Sequence, residues 1–384
     1  MSTATWKPRE TFLPWSLPLI GEEEIQEVAD ALRSGWITTG PRVKRFERQF
    51  ASYTGVTHAV AVSSCTAALH ISLAALGIGP GDEVIVPTMT FCSTANVVVH
   101  LGATPVLVDV DDDLLIDVAC VERAITPRTK AIIPVHYGGQ PCDLDALTEV
   151  GARYGIPILE DAAHAVGAEY GNRKIGSHSL AVSFSFYANK NMSTGEGGMI
   201  ATNDTGFADH CRRLSLLGMS RDAWKRYTEA GSWEYEVVEA GYKANMTDVQ
   251  AAMGIHQLAK LDSFNQRRID IADRYDEAFG SLAGIILPRR KPEGKHVFHL
   301  YAVQLVPGIA KLSRNDFIDR LRELNVGTSV HFIPLHRHLL YKDRGDCFPV
   351  ADRIFAGLVS LPCYPKMTDG DVLDVIHSVR SVTS

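Results

Sequence analysis

From residue 58 onward, short apolar runs at 59–62, 83–86, 105–110, 131–135 and 156–160 alternate with segments of helical periodicity at 66–76, 93–101 and 143–154. Runs rich in Val and Ile with few polar interruptions predict strands buried on both faces, and the intervening helices supply the crossovers. The pattern therefore predicts an α/β fold with a mostly parallel sheet and helices on both sides. Two further strand-like runs follow at 181–187 and 198–202. Ahead of the alternation, Glu22 to Arg33 predicts a helix, with Glu22, Glu23 and Glu24 crowding its start and Ile25, Val28, Ala29 and Leu32 forming one apolar face. Near residue 250 the texture changes. A long helical stretch at 247–279 precedes a strand-like run at 297–305 and helix-like segments at 314–324 and 369–382. These predict a large domain over 1–250 and a smaller C-terminal α+β domain over 251–384, with no internal repeat.

A chain of 384 residues is long enough for two cores, in agreement with that division. The net charge of −7 argues against a nucleic-acid partner, so an anionic substrate needs a local cationic site. Seven cysteines at 65, 92, 120, 142, 211, 347 and 363 form no C-x-x-C pair, which fits a reducing compartment and offers no iron–sulfur ligand run. Residues 1–13 carry no signal-like apolar core, and no run reaches the roughly 18 apolar residues of a membrane span. The expectation is a cytoplasmic protein without membrane contact.

In open α/β sheets, ligands sit beyond the carboxyl ends of the strands. One run ends there in Asp161, an acidic residue that could cap a helix, hold a ribose or pair with a cofactor. The next strand delivers Lys190 into a loop closed by Gly195-Glu-Gly-Gly198. A desolvated lysine there has a lowered pKa and can form a Schiff base, although most lysines in turns are simply solvated. A pyridine cofactor needs both: an amine at one end and a buried carboxylate to keep its ring nitrogen protonated. His164 could reach the ring oxygen or serve only in packing. A phosphate needs helix-start amides and hydroxyls, which Val62-Ser-Ser-Cys-Thr66-Ala67 offers with Thr66 and Ala67 opening the helix; plain capping is the simpler alternative. Ser185 adds a hydroxyl, and Phe91 could stack on a flat ring or belong to the core.

Taken in order, Ser34-Gly-Trp-Ile-Thr-Thr-Gly-Pro41, Thr66-Ala-Ala-Leu69, Thr90-Phe91, Glu160-Asp-Ala-Ala-His164, Lys190-Asn191 with Gly195-Glu-Gly-Gly198, Gly241-Tyr-Lys-Ala-Asn-Met-Thr-Asp-Val-Gln-Ala-Ala252 and His331-Phe-Ile-Pro334 resemble the DegT/DnrJ group of nucleotide-sugar aminotransferases. Those enzymes are fold-type I transferases dependent on pyridoxal 5'-phosphate (PLP). The resemblance implies that Lys190 carries the Schiff base and shuttles the proton. Asp161 would pair with the pyridinium nitrogen and His164 would lie near the ring oxygen. Phe91 and Ala163 would flank the ring, and Thr66, Ala67 and Ser185 would hold the phosphate. It also implies a homodimer with shared active sites, the segment around Lys243 and Asn245 lending a phosphate contact, with Asn245 the favoured residue. His331 would face the substrate, with His296 and His299 candidates of the same kind; Trp36 and Thr38 could line the sugar pocket, although core packing explains Trp36 equally well. Glutamate is the implied donor, displacing Lys190 and leaving as 2-oxoglutarate.

Two positions depart from the common pattern of the group: Cys65-Thr66 replaces Gly-Thr, and Gly241-Tyr-Lys-Ala-Asn245 replaces Gly-Tyr-Asn-Tyr-Arg. The latter, with Trp224-Lys-Arg-Tyr227, is similar to the branch that aminates UDP-4-keto-sugars. Rival readings are a cyclitol-ketone aminotransferase, a PLP sugar dehydratase and a non-catalytic regulator of the same fold. Lys190 opposes the dehydratase, whose members carry a histidine there or a cysteine-held cluster. A dinucleotide site at Gly77-Ile-Gly-Pro-Gly81 fails because the glycines follow a helix and precede a strand. The run His331-Phe-Ile-Pro-Leu-His336-Arg-His338 lacks the acidic or cysteine partners of a metal site, so no metal is expected.

Overall fold

The computed structural model describes residues 6–220, 235–342 and 347–383, so the Trp224–Tyr227 motif lies outside the described residues. The apolar runs become strands β1 (His58–Val62), β2 (Glu83–Pro87), β3 (Thr104–Val108), β4 (Thr129–Ile132) and β5 (Leu159–Asp161). A small hairpin of β6 (Glu169–Tyr170) and β7 (Arg173–Lys174) precedes β8 (Ala181–Ser185) and β9 (Gly198–Thr202). Their pairing gives the orders β3-β2-β4 and β1-β9-β8-β5, joined by parallel bridges Ile132 to Ile158 and Val135 to Asp161. The result is one sheet, parallel except at β9, which runs against both β1 and β8. Strands β8 and β9 are joined by the Lys190 loop, which contains no helix to make the crossover that a parallel pair needs.

The helices are α1 (Glu22–Arg33), α2 (Pro41–Thr54), α3 (Cys65–Ala75), α4 (Ser93–His100), α5 (Val118–Ala124), α6 (Leu144–Tyr154), α7 (Thr205–Ser215) and α8 (Asp248–Phe279). Asp143 and Thr247 stand one residue ahead of α6 and α8, where their side chains take the Ala146 and Gln250 amides. Beyond α8 come β10 (Ile285–Ile286), β11 (Gly294–Lys295), β12 (Tyr301–Leu305), α9 (Arg314–Glu323), α10 (Pro349–Gly357), β13 (Leu358–Leu361) and α11 (Asp369–Thr383). Strands β10, β12 and β13 form an antiparallel sheet. Helix α8 serves two cores: Ala251, Ile255, Leu258 and Leu261 pack with the large sheet, and Ile271, Tyr275 and Phe279 with Phe298, Tyr301 and Phe317. Leu13 also joins the second core, its amide bonded to Asn325 O at 2.8 Å. Among the described residues no helix is long and apolar enough to cross a membrane.

Two expectations change. In α1 the predicted apolar face points outward, with Ile25 and Leu32 more than half exposed, while Glu24 is fully buried. Glu24 is buried because it is saturated: it receives Gly21 N at 2.9 Å, Gln257 Nε2 at 2.8 Å and Lys260 Nζ at 2.9 Å. The run at 297–305 becomes a strand only from Tyr301. Ahead of it, the Val297 and Leu300 amides bond to Gly139 O and Gly138 O, both at 3.1 Å, and Phe298 takes a positive φ of 45°. That diversion lays the 297–300 backbone along Gly138 and Gly139.

Candidate active site

Strands β5 and β8 pair in parallel register, Asp161 opposite Ser183. The end of β5 and the loop leaving β8 therefore open on the same sheet edge, and the Lys190 loop leaves β8 beside Asp161. Asp161 is buried; its Oδ2 accepts from Thr94 Oγ1 at 2.8 Å and its Oδ1 from the Ala163 amide at 3.1 Å. The Cys65 thiol lies 3.9 Å from Oδ1. Burial raises the Asp161 pKa, while the Ala163 and Thr94 donors and the Lys190 charge oppose that rise.

The loop carrying Lys190 is closed by Phe186 N to Gly197 O and Thr194 N to Phe186 O, both 2.9 Å, and Gly195 supplies a φ of 76°. Among the described residues the Lys190 amine has no carboxylate within ion-pair distance. Burial lowers its pKa to about 8, with the Cys65 thiol and the Asp161 carboxylate holding it up in part. Near neutral pH about a tenth of such amines are uncharged, far more than for an ordinary lysine.

A wall of rings faces this amine. His164 Nδ1 accepts the Gly138 amide at 3.2 Å, so the neutral imidazole carries its proton on Nε2. Its ring lies 4.4 Å from His299 and stacks at 5.8 Å on Phe332, which contacts Phe91 at 5.8 Å. His331 meets Ser360 Oγ at 2.9 Å and packs on Trp15 at 4.5 Å. Burial, and then the nearby positive charges, hold all three imidazoles neutral: His331 falls to about 3, and His164 and His299 fall well below their usual range. His296 is instead turned onto Phe298, ring centroids 3.9 Å apart. His336 spends both nitrogens, on Thr88 at 2.7 Å and Asp352 at 3.1 Å.

At the end of β1 the hydroxyl-rich turn differs from expectation. Helix α3 begins at Cys65, and Ser64 is its cap, its Oγ taking the Ala67 amide at 3.0 Å. Thr66 is exposed in the first turn. The turn rests on Gly198, where a Cβ would come within 2.5 Å of the Ser64 carbonyl. Ser185 is buried at the end of β8, its Oγ 3.4 Å from the Tyr187 amide. Asn245 lies beside the turn of its own chain, bridged to Val62, and its Nδ2 donates to Thr39 Oγ1 at 2.7 Å. Lys243 is exposed. Trp36 donates its ring N–H to Thr39 O at 3.0 Å, and the Thr38 carbonyl accepts the Asp248 amide at 3.0 Å. Phe91 remains 57% exposed.

Lys190, Asp161, His164, Phe91 and His331 are thus brought to one sheet edge. Ser64, Thr94 and Phe332 join them without having been singled out, and Cys65, noted only as a departure from the group's Gly-Thr, lies beside Asp161. Ser64 stood where a capping signature belongs, ahead of a helical run. Thr94 gave no signal, being far from Asp161 in sequence. A buried carboxylate with fixed donors, a reachable amine of lowered pKa and an imidazole presenting Nε2–H fit the two ends and the oxygen of a flat pyridine ring.

Residues 18–380 match the DegT/DnrJ/EryC1/StrS aminotransferase family. The spore coat polysaccharide biosynthesis protein SpsC of Bacillus subtilis is 53% identical over 380 residues, 97% of this chain and 98% of that protein. The putative sugar aminotransferase Spr1654 from Streptococcus pneumoniae, in its PMP form, superposes with a TM-score of 0.90 at 38% identity, covering 97% of this chain and 99% of the other. DesV of S. venezuelae, solved with a ketimine intermediate, gives 0.87 at 36% identity over 97% and 99% of the two chains. The chain belongs to the DegT/DnrJ/EryC1/StrS family, whose sugar aminotransferases use pyridoxal phosphate, and it is an enzyme of that kind.

Proposed function

We propose that the chain aminates a nucleotide-linked 4-keto-sugar, a UDP-sugar, with glutamate as donor, and that Lys190 and Asp161 carry the reaction. The observation that supports this most is the placing of Lys190's loop and Asp161 on adjoining strand ends, with the carboxylate buried and its donors fixed. Bound pyridoxal phosphate supplies the electron sink. Lys190, anchored in a tight loop, moves a proton between the donor's α-carbon and its own amine, then delivers one to the sugar carbon. Asp161 holds the ring nitrogen protonated. His164, fixed by Gly138, presents Nε2–H to the ring oxygen. Thr66, Ala67 and Ser185 would hold the phosphate, at the helix start that Ser64 caps. Phe91 and Ala163 flank the ring, and Trp36, Thr38 and His331 border the sugar side.

We further propose a homodimer. The outward apolar residues of α1 and the turn after it, Ile25 at 54%, Leu32 at 56% and Ile37 at 53% exposure, form a face that a second copy would cover. Asn245, whose Nδ2 keeps a second N–H beyond its bond to Thr39, lends the contact to a neighbouring subunit's phosphate in this reading, with exposed Lys243 two residues away as the alternative. The UDP and C4 preferences rest on the likeness of the Lys243-Ala-Asn245 segment. A panel of UDP- and dTDP-linked 3- and 4-keto-sugars, with glutamate or glutamine, tests them. Turnover of UDP-4-keto-sugars with glutamate is expected; turnover confined to dTDP-sugars, 3-keto-sugars or keto-cyclitols would overturn the reading.

His164 offers a graded test. His164→Gln keeps a donor at this position and is expected to retain most of the rate. His164→Ala loses a hydrogen bond to a charged oxygen and is expected to slow the glutamate half-reaction about tenfold to a hundredfold. Equal rates for the two variants in single-turnover spectroscopy would remove His164 from this role.

A further inference from the structure

The turn that follows β4 touches the site at several points. Its Pro134 carbonyl takes the Asp161 amide at 2.9 Å, and the His136 amide donates to Asp161 O at 3.1 Å. Gly138 fixes the His164 ring, the Tyr137 hydroxyl donates to the His331 carbonyl, and the Gly138 and Gly139 carbonyls hold the backbone that leads to His299. The backbone must turn tightly to do this: Gly138 and Gly139 take φ of 64° and 98°, and a Cβ on Gly139 would lie 2.9 Å from Val297 Cγ2 and 3.0 Å from the His164 carbonyl.

What holds the turn itself is a pair of fully buried side chains. His136 Nδ1 accepts the Cys142 amide at 3.0 Å, which closes the turn, and its Nε2 lies 2.7 Å from Glu160 Oε2. Burial lowers the pKa of this ring, but the Cys142 thiol and Glu160 outweigh it and push it up to about 10. The Cys142 amide aimed at Nδ1 decides the state all the same, because an Nδ1 that accepts carries no proton, so the ring proton sits on Nε2 and is donated to Glu160. Glu160 adjoins Asp161 on β5 and therefore points to the opposite face of the sheet, away from the ring-binding side. Among the described residues its other oxygen, Oε1, is buried without a hydrogen-bond partner. Burying an unsatisfied carboxylate oxygen is costly, and packing alone gives no reason to keep it.

We propose that His136 and Glu160 are positioning residues: together they lock the turn that sets the Asp161 carboxylate and the His164 Nε2–H for the cofactor, touching neither cofactor nor substrate themselves. The proposal rests on the assignment of Asp161 and His164, whose own failure would show separately in Asp161→Asn. The test is titration of the apo protein with PLP, read by the visible band. Partners one layer behind a bound group commonly matter about tenfold to a hundredfold in affinity. Glu160→Leu, which leaves the His136 donor unpaired, is expected to weaken PLP binding by at least about tenfold and to move the band, while Glu160→Gln, whose amide oxygen still accepts from His136, stays within about twofold of the parent. Parent-like binding by Glu160→Leu, or equal weakening in both variants, would overturn the proposal. Should Glu160→Leu not fold, nitrogen NMR of the histidine-labelled parent enzyme decides. A neutral His136 protonated at Nε2 supports the lock, and a ring protonated on both nitrogens refutes it.

Discussion

Lys190→Ala is expected to abolish both half-reactions, with a loss of at least about 10²–10⁴-fold for the proton transfer alone, while the protein stays folded. The amine is the group that the sheet edge presents with a lowered pKa, and among the described residues it has no ion-pair partner and no side chain at the site that could replace it. Burial, which the substitution leaves in place, lowers the pKa of His164, His299 and His331, so they are poor proton acceptors. The fold does not depend on the amine. Its pKa of about 8 in the folded apo protein lies below the ordinary 10.5, so between those values the unfolded chain binds the extra proton. Stability of the apo enzyme should therefore rise as pH climbs through that window, and Lys190→Ala should lack that rise. Urea midpoints at about pH 8 and about pH 10 would show the difference. Retained turnover in the variant would defeat the assignment.

Asp161→Asn is expected to cost about 10²–10³-fold in rate, the usual scale for removing one preorganised electrostatic partner. An amide cannot keep a pyridine nitrogen protonated, so the ring loses its capacity to take up charge. The stability of the apo protein should move the other way or not at all. Because burial raises the Asp161 pKa, its ionised form destabilises the folded chain above the ordinary carboxylate range, and the neutral amide avoids that cost. A variant that is slow yet at least as stable as its parent separates a chemical role from a structural one. Urea unfolding and single-turnover spectra on the same preparation measure both.

Much of this was legible in the order of residues, for identifiable reasons. Strands β1 to β5, β8 and β9 were visible because doubly buried strands leave few polar interruptions, and Lys190 and Asp161 stood out because each follows such a run. The turn at 135–142 was not legible. Its importance comes from contacts with β5, His164, His331 and the 297–300 segment, all remote in sequence. Helix α1 misled for a related reason: its apolar face points away from this chain's core, and buried Glu24 is explained only by Gln257 and Lys260 on α8. The start of α3 was missed by one residue because two adjacent serines precede it and periodicity does not say which one caps.

The central claim is that one flat ring is held between the Lys190 amine and the Asp161 carboxylate. Nitrogen NMR of the bound cofactor's ring, in the parent and in Asp161→Asn, tests it most directly. The ring nitrogen is predicted to be protonated near neutral pH in the parent and unprotonated in the variant. An unprotonated nitrogen in the parent, or one that stays protonated after Asp161 is replaced, would contradict the account.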